Sequence, residues 1–295
     1  MTILVTGGTG RVGSQVIAKL SGSGVAVRAL TRSPEKAKFP AGVTAVKGDL
    51  LDVDSVRAAL KGISTLFLLA STGTEELTQT INTLSIAREE GVRGVVYISV
   101  VKSAEYTDVP HFTSKHAVER MIEQFALPAT ILRPAYFFQN DVQFKDALQG
   151  GGVYPSPVGL KGISMVDVGD IAEVATIELL RRERSEQALP RKIVELSGPD
   201  ALTGPALAAI WADTLGREIR YGGGDLNAFE AQIKTAAPGW MAFDLRAMFR
   251  RYQEDGAVAT RADIEQLTAL LGRPPRAYRE FAAEAARSWS STPKA

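Results

Sequence analysis

Short apolar runs rich in β-branched residues recur along the first part of the chain, and polar stretches with apolar positions every three or four residues separate them. The runs TILVT (2–6), VAVRAL (25–30), VTAV (43–46), TLFLLA (65–70), GVVYIS (94–99) and ATILR (129–133) read as strands. The segments 11–21, 54–60, 75–90 and 111–125 between them read as amphipathic helices. Gly91 suits the end of the third helix, and Pro128 and Pro134 bracket the last strand. Strands alternating with helices over short connections predict an α/β, doubly wound parallel sheet.

Beyond Pro134 the rhythm weakens. QGGGVYPSPVG (149–159) is rich in glycine and proline and is expected to be loop throughout. MVDVGDIAEVATIELL (165–180) reads as a turn with a capping aspartate followed by a helix, and IVELSG (193–198) as one more strand. The remaining residues read as mostly helical, apart from the GGG run at 222–224 and LGRPPRAY at 271–278. The expected division is a dinucleotide-binding domain over 1–150 and a small, mostly helical C-terminal substrate lobe over 151–295. Residues 163–198 are expected to return to the first domain.

Composition narrows the chemistry. With 295 residues, 45% of them apolar and 23% charged, the chain can bury a full core. Thirty-four basic residues against 33 acidic ones leave a charge of +1, so no nucleic acid or anionic membrane partner is indicated. Without cysteine, disulfides, thiolate metal sites and a cysteine nucleophile are excluded. Two histidines, His111 and His116, argue against a zinc cluster, and no metal is expected. No apolar run approaches the roughly 20 residues that span a bilayer. The first residues enter a strand with no secretory pattern before it, so a cytoplasmic location is expected.

The most informative motif follows the first strand. In TGGTGRVGSQVIAKL, Gly8, Gly10 and Gly13 fit G-x-G-x-x-G, and Gly7, Gly10 and Gly13 fit G-x-x-G-x-x-G. Glycines at such spacing permit a tight turn, let backbone N–H groups approach a pyrophosphate, and pack the helix close to the strand. Gly7, Gly8, Thr9, Gly10, Arg11, Val12 and Gly13 are therefore the first cofactor-binding candidates. An NAD-preferring site usually has a carboxylate after the second strand. This chain has Arg32 there, with Arg11 in the turn, and an arginine suits the 2′-phosphate of NADP(H). Asp49 and Leu50 after the third strand, and Ala70 and Ser71 at the end of the fourth, are further candidates on the ligand-bearing edge.

The blocks TILVTGGTGRVGSQVI, VRALTRSPEKA, GDLLDVDSVRAALKGISTLFLL, HFTSKHAVERMI, ATILRPAYFFQN, SMVDVGDIAEVA and LLGRPPRAYREFAAEAA resemble, in order, the NmrA-like group of atypical short-chain dehydrogenases/reductases. The resemblance spans nearly the whole chain. It implies a Rossmann core with a small C-terminal lobe, and NADPH-dependent reductases of quinones, triphenylmethane dyes or isoflavone-like substrates. It also implies the alternative of regulators that bind the dinucleotide without turnover.

Typical short-chain dehydrogenases carry Y-x-x-x-K. Here HFTSK places His111 and Lys115 at that spacing, one helical turn apart. Lys115 is expected to hold the nicotinamide ribose or donate a proton, and His111 is the candidate proton donor. Pro134, Ala135 and Tyr136 after the sixth strand are expected against the cofactor, with Ser99, Phe137 and Trp240 toward substrate. The combined expectation is an NADPH-dependent reductase delivering hydride to a small planar electrophile: a quinone, dye, enone or imine. The alternative is a non-catalytic NADP(H)-sensing regulator with a protein partner. A homodimer is the candidate assembly. A sugar-nucleotide epimerase would normally want the missing tyrosine.

Overall fold

A computed structural model describes residues 2–290. Along the chain the elements are β1 (Thr2–Val5), α1 (Arg11–Leu20), β2 (Ala26–Thr31), β3 (Val43–Lys47), α2 (Val53–Leu60), β4 (Thr65–Leu68), α3 (Glu76–Glu89), β5 (Gly94–Ile98), α4 (Pro110–Gln124) and β6 (Ala129–Pro134). A 3-10 helix (Phe138–Phe144) leads into α5 (Lys145–Gln149), β7 (Val153–Tyr154), α6 (Val168–Glu183) and β8 (Lys192–Leu196). Then come α7 (Gly204–Leu215), β9 (Arg220–Tyr221), α8 (Leu226–Ile233), α9 (Gly239–Glu254), α10 (Arg261–Leu271) and α11 (Tyr278–Ser290). The strands and helices read from the apolar pattern are present, with ends shifted by a residue or two. One expectation needs correction. The stretch 149–159 is not loop throughout, because Val153–Tyr154 pairs in parallel with Arg220–Tyr221.

Contacts divide the chain into two compact units. The first comprises residues 1–104, 111–133 and 169–195, and the second 105–110, 134–168 and 196–295.

The first unit holds the sheet, in the order β3-β2-β1-β4-β5-β6-β8. Parallel register sets Leu4 opposite both Arg28 and Leu66, and Tyr97 opposite both Leu68 and Ile131. β4 and β5 are buried along their whole length, as central parallel strands covered on both faces must be. On one face Leu4, Leu66, Leu68, Tyr97 and Ile131 pack with Val56 and Leu60 of α2, Leu84 of α3 and Val118 and Ile122 of α4. Each fully buried leucine or isoleucine there contributes about 1.5–3 kcal/mol over its exposed state.

Caps fix the helix starts. Asp52 accepts the N–H groups of Asp54 and Ser55 at 3.1 and 3.3 Å, opening α2. The far end of α6 is tied to the sheet by buried glutamates: Glu183 accepts the hydroxyls of Ser64 and Thr65, and Glu178 accepts Thr130 at 2.8 Å and Lys192 at 2.8 Å. Each buried carboxylate thus has several donors, which buried charge requires.

The second unit is mostly helical. Its centre is aromatic: Trp211 stacks on Trp289 at 5.0 Å, and Tyr278 meets Phe138 edge-on at 5.2 Å. Among the described residues no helix is long and apolar enough to cross a membrane.

Candidate functional site

The β1–α1 turn is built as the glycine spacing predicts. Gly7 takes φ +64°, a left-handed conformation that disfavours any side chain, and a Cβ there would lie 3.1 Å from the Leu69 carbonyl oxygen. The Gly10 N–H donates to the Gly7 oxygen at 3.0 Å. A Cβ on Gly13 would lie 2.2 Å from that same oxygen, so the helix start is pressed onto the turn and only glycine fits. Gly10 is the N-cap and offers no side-chain acceptor, and the first turn of α1 carries no acidic residue. Backbone donors at such a helix start suit an anion, and the cradle has the form a pyrophosphate needs.

Thr6 joins this turn to the next loop of the sheet edge. Its hydroxyl donates to the Leu69 carbonyl at 2.9 Å and accepts the Leu69 N–H at 2.8 Å. Gly7 through Gly13 are thereby brought beside Ala70, which is buried, and Ser71, which is exposed. They lie where β1 and β4 neighbour one another at the sheet's change of winding direction.

Arg32 follows the last residue of β2 and is exposed, as is Arg11. Beside the glycine turn is an open groove of about 360 Å³, with Gly8, Thr9 and Ser14 on one side and Lys36, Lys38 and Phe39 on the other. The two lysines were missed in the sequence, although SPEKAKF places both soon after Arg32. Asp49 is engaged locally: it accepts the Leu51 N–H at 3.0 Å, and its own N–H donates to Ser55 Oγ at 3.0 Å. Leu50 packs, partly buried, on the core face of the sheet.

After β5 and in α4 the side chains form two buried polar networks. Lys115 is 7% exposed, and its Nζ donates to Glu76 Oε1 on the first residue of α3. Glu76 is 4% exposed, and its second oxygen, Oε2, has no hydrogen-bond partner. Ser99 is buried and donates its hydroxyl to Glu119, which also accepts Ser103 at 3.2 Å and Arg133 Nε at 3.0 Å. These carboxylates, after burial itself, hold the Tyr97 phenol well above its ordinary range, so it stays protonated. His111 is half-buried and meets Phe112 edge-on at 4.6 Å. Ser99 and Lys115 thus belong to two buried networks in the first unit, and Glu76 is a member that the sequence did not announce.

The remaining candidates fall in the second unit. The Ala135 N–H donates to the Leu196 carbonyl at 2.9 Å, directly after Pro134 closes β6. Tyr136 packs on Phe249 at 5.8 Å and Tyr252 at 6.4 Å. Phe137 is half-buried and bridges to Val166, whereas Phe138 is core. Trp240 is 40% exposed on α9. This unit also contains Asp141, fully buried, whose Oδ2 accepts Tyr154 at 2.8 Å and Tyr278. Burial outweighs those two hydrogen bonds and pushes the Asp141 carboxyl up to about 7. Among the described residues no group of three or more histidine, aspartate or glutamate side chains is placed to hold a metal ion.

Proteins similar to this chain include named reductases. An NAD(P)H azoreductase of Xenophilus azovorans is 27% identical over 283 residues, covering 95% of this chain and 96% of that protein. A (4-alkanoyl-5-oxo-2,5-dihydrofuran-3-yl)methyl phosphate reductase of Streptomyces griseus is 28% identical over 291 residues, covering 98% and 99%. The structure of an NADPH-dependent quinone oxidoreductase of Escherichia coli, solved with NADPH, superposes with a TM-score of 0.83 at 25% identity, covering 96% of this chain and 99% of that one. The model of the NmrA-like family matches residues 1–280, and the chain belongs to that family.

Proposed function

We propose that this protein is an NADPH-dependent reductase that transfers hydride to a small, planar, electrophilic substrate such as a quinone, an azo or other dye, an enone or an imine. The observation that carries the reading is the glycine cradle: the Gly13 position sits so close to the Gly7 carbonyl that no side chain fits. That geometry serves a dinucleotide pyrophosphate and has no evident value for a simple surface loop. The relatives named as reductases of an azo compound, a dihydrofuranyl phosphate and a quinone support the reaction class.

When bound, NADPH supplies the hydride. The backbone of Gly7–Gly13 receives the pyrophosphate, and Arg32, with Lys36 and Lys38 along the adjoining groove, supplies positive charge for the 2′-phosphate. Lys115 stands on α4, following β5, and holds the nicotinamide ribose. His111, one turn earlier and partly accessible, delivers the proton that the reduced product needs. Ser99 donates to Glu119, which leaves it a supporting role in the wall of the site.

Purified protein assayed for NADPH oxidation against quinones, azo dyes, enones and imines tests the reading, with NADPH and NADH binding titrated in parallel. Acceptor-dependent oxidation that prefers NADPH is the expected result. Tight NADPH binding with no oxidation by any acceptor would replace the reductase by an NADP(H)-sensing regulator.

A further inference from the structure

Glu76 has no role in the reaction as derived so far, yet it is a nearly buried carboxylate with one oxygen, Oε2, left without a partner. Its other oxygen receives Lys115 Nζ. An ammonium has three N–H donors, and among the described residues Glu76 is the one acceptor bonded to Nζ. A buried ion pair is costly to desolvate and persists where further hydrogen bonds complete it. Here the pair leaves two Nζ donors and the buried Oε2 acceptor unmatched among the described residues.

A vicinal diol has the matching chemistry, since each hydroxyl oxygen accepts and each hydroxyl proton donates. A phosphate would meet repulsion from Glu76, and an amide would leave one Lys115 donor unmatched. The pair also stands in the right part of the fold. Glu76 is the first residue of α3, after β4, and Lys115 lies in the second turn of α4, after β5. Both belong to the carboxyl edge of the sheet that carries the glycine cradle after β1.

We propose that Glu76 is a cofactor ligand: with Lys115 it binds the ribose diol of the nicotinamide half, Oε2 accepting one hydroxyl proton while Nζ donates to the diol oxygens. This rests on the reading of the protein as an NADP(H)-binding reductase and adds to it a carboxylate on the nicotinamide side. The carboxylate would fix the ribose, and with it the nicotinamide, against rotation.

Calorimetric titration of wild type, Glu76→Gln and Glu76→Asp with NADPH and with adenosine 2′,5′-bisphosphate, which lacks the nicotinamide ribose, tests the proposal. Glu76→Gln keeps the size of the side chain but can turn a donor toward the diol. It should weaken NADPH by about tenfold to a hundredfold and leave the bisphosphate unchanged, because a hydrogen bond to a charged group is lost on one half only. Glu76→Asp keeps the charge but withdraws it by a methylene, and should show the same selective loss to a smaller degree. It serves in place of the glutamine variant if that one does not fold. An unchanged ratio of the two affinities in either variant would overturn the role of Glu76 while leaving the cofactor reading intact. If wild type binds neither ligand, the cofactor reading fails and this one with it.

Discussion

The Cβ position of Gly13 lies 2.2 Å from the carbonyl oxygen of Gly7, which in turn accepts the Gly10 N–H. One oxygen therefore sets both the turn and the start of α1. Gly13→Ala forces backbone apart and is expected to lower dinucleotide affinity by at least about tenfold, with a fall in melting temperature. Gly8→Ala meets chiefly the Ile17 Cδ1 methyl, at 2.7 Å, which can rotate away. Titration with NADPH should rank the two variants in that order, and equal losses would refute the backbone argument.

Arg32 has an exposed side chain directly after β2. As the group expected to meet the 2′-phosphate, its replacement by alanine should weaken NADPH by roughly tenfold to a hundredfold and hardly change NADH. Lys36 and Lys38 line the adjoining groove as exposed cations. Their double alanine variant should cost less, about threefold, and the loss should shrink as salt is added. Parallel titrations with both cofactors at two ionic strengths decide this, and equal losses for the two cofactors would remove the assignment.

Lys115→Met leaves Glu76 as a buried carboxylate without its cation. Loss of one partner from a buried pair is expected to destabilise by about 3–5 kcal/mol, in addition to the loss of turnover. Lys115→Arg retains the charge and should recover most of the stability but little of the activity, because a planar guanidinium does not reproduce the compact ammonium. Chemical denaturation alongside acceptor-dependent NADPH oxidation separates the two effects. A stable, fully active methionine variant would place Lys115 outside the mechanism.

Asp141 binds a proton more tightly in the folded protein than in the unfolded chain, because burial lifts it from 3.8 to about 7. Its contribution to stability is therefore greatest in acid and is lost as pH rises from about 4 to 7. The full effect is on the order of a few kcal/mol. Asp141→Asn cannot ionise, so the difference in stability between wild type and variant should move in the variant's favour across that interval. Urea denaturation at several pH values checks the slope, and a constant difference would contradict it.

Much of the fold was legible because each signal lies in contiguous residues. TLFL and GVVYI are almost wholly apolar, and they became the fully buried central strands β4 and β5. Gly7, Gly10 and Gly13 announced a turn whose requirement for glycine is a matter of local backbone geometry. The two-residue strand Val153–Tyr154 was hidden, since its pairing depends on Arg220 and Tyr221, far along the chain. Propensity alone does not select so short a strand inside a glycine-rich segment.

The candidate site divides along the same line. HFTSK placed Lys115 on a helix at the right spacing, but its partner Glu76 is 39 residues away on a different helix. Ser99 read as a candidate for orienting substrate, and its hydroxyl is committed to Glu119, 20 residues further on. Asp141 carried no signal in YFFQND, because its raised proton affinity comes from its burial in the folded chain, against the hydrogen bonds of Tyr154 and Tyr278. By itself, then, the sequence determined the order of the strands and helices of the main sheet, the glycine turn after β1 and the family, all written in short-range spacing. Tertiary structure alone decided which charges are paired, which polar atoms are left open and which carboxyl holds its proton more tightly than usual. Those properties depend on desolvation and on contacts between distant residues, and no local pattern encodes them.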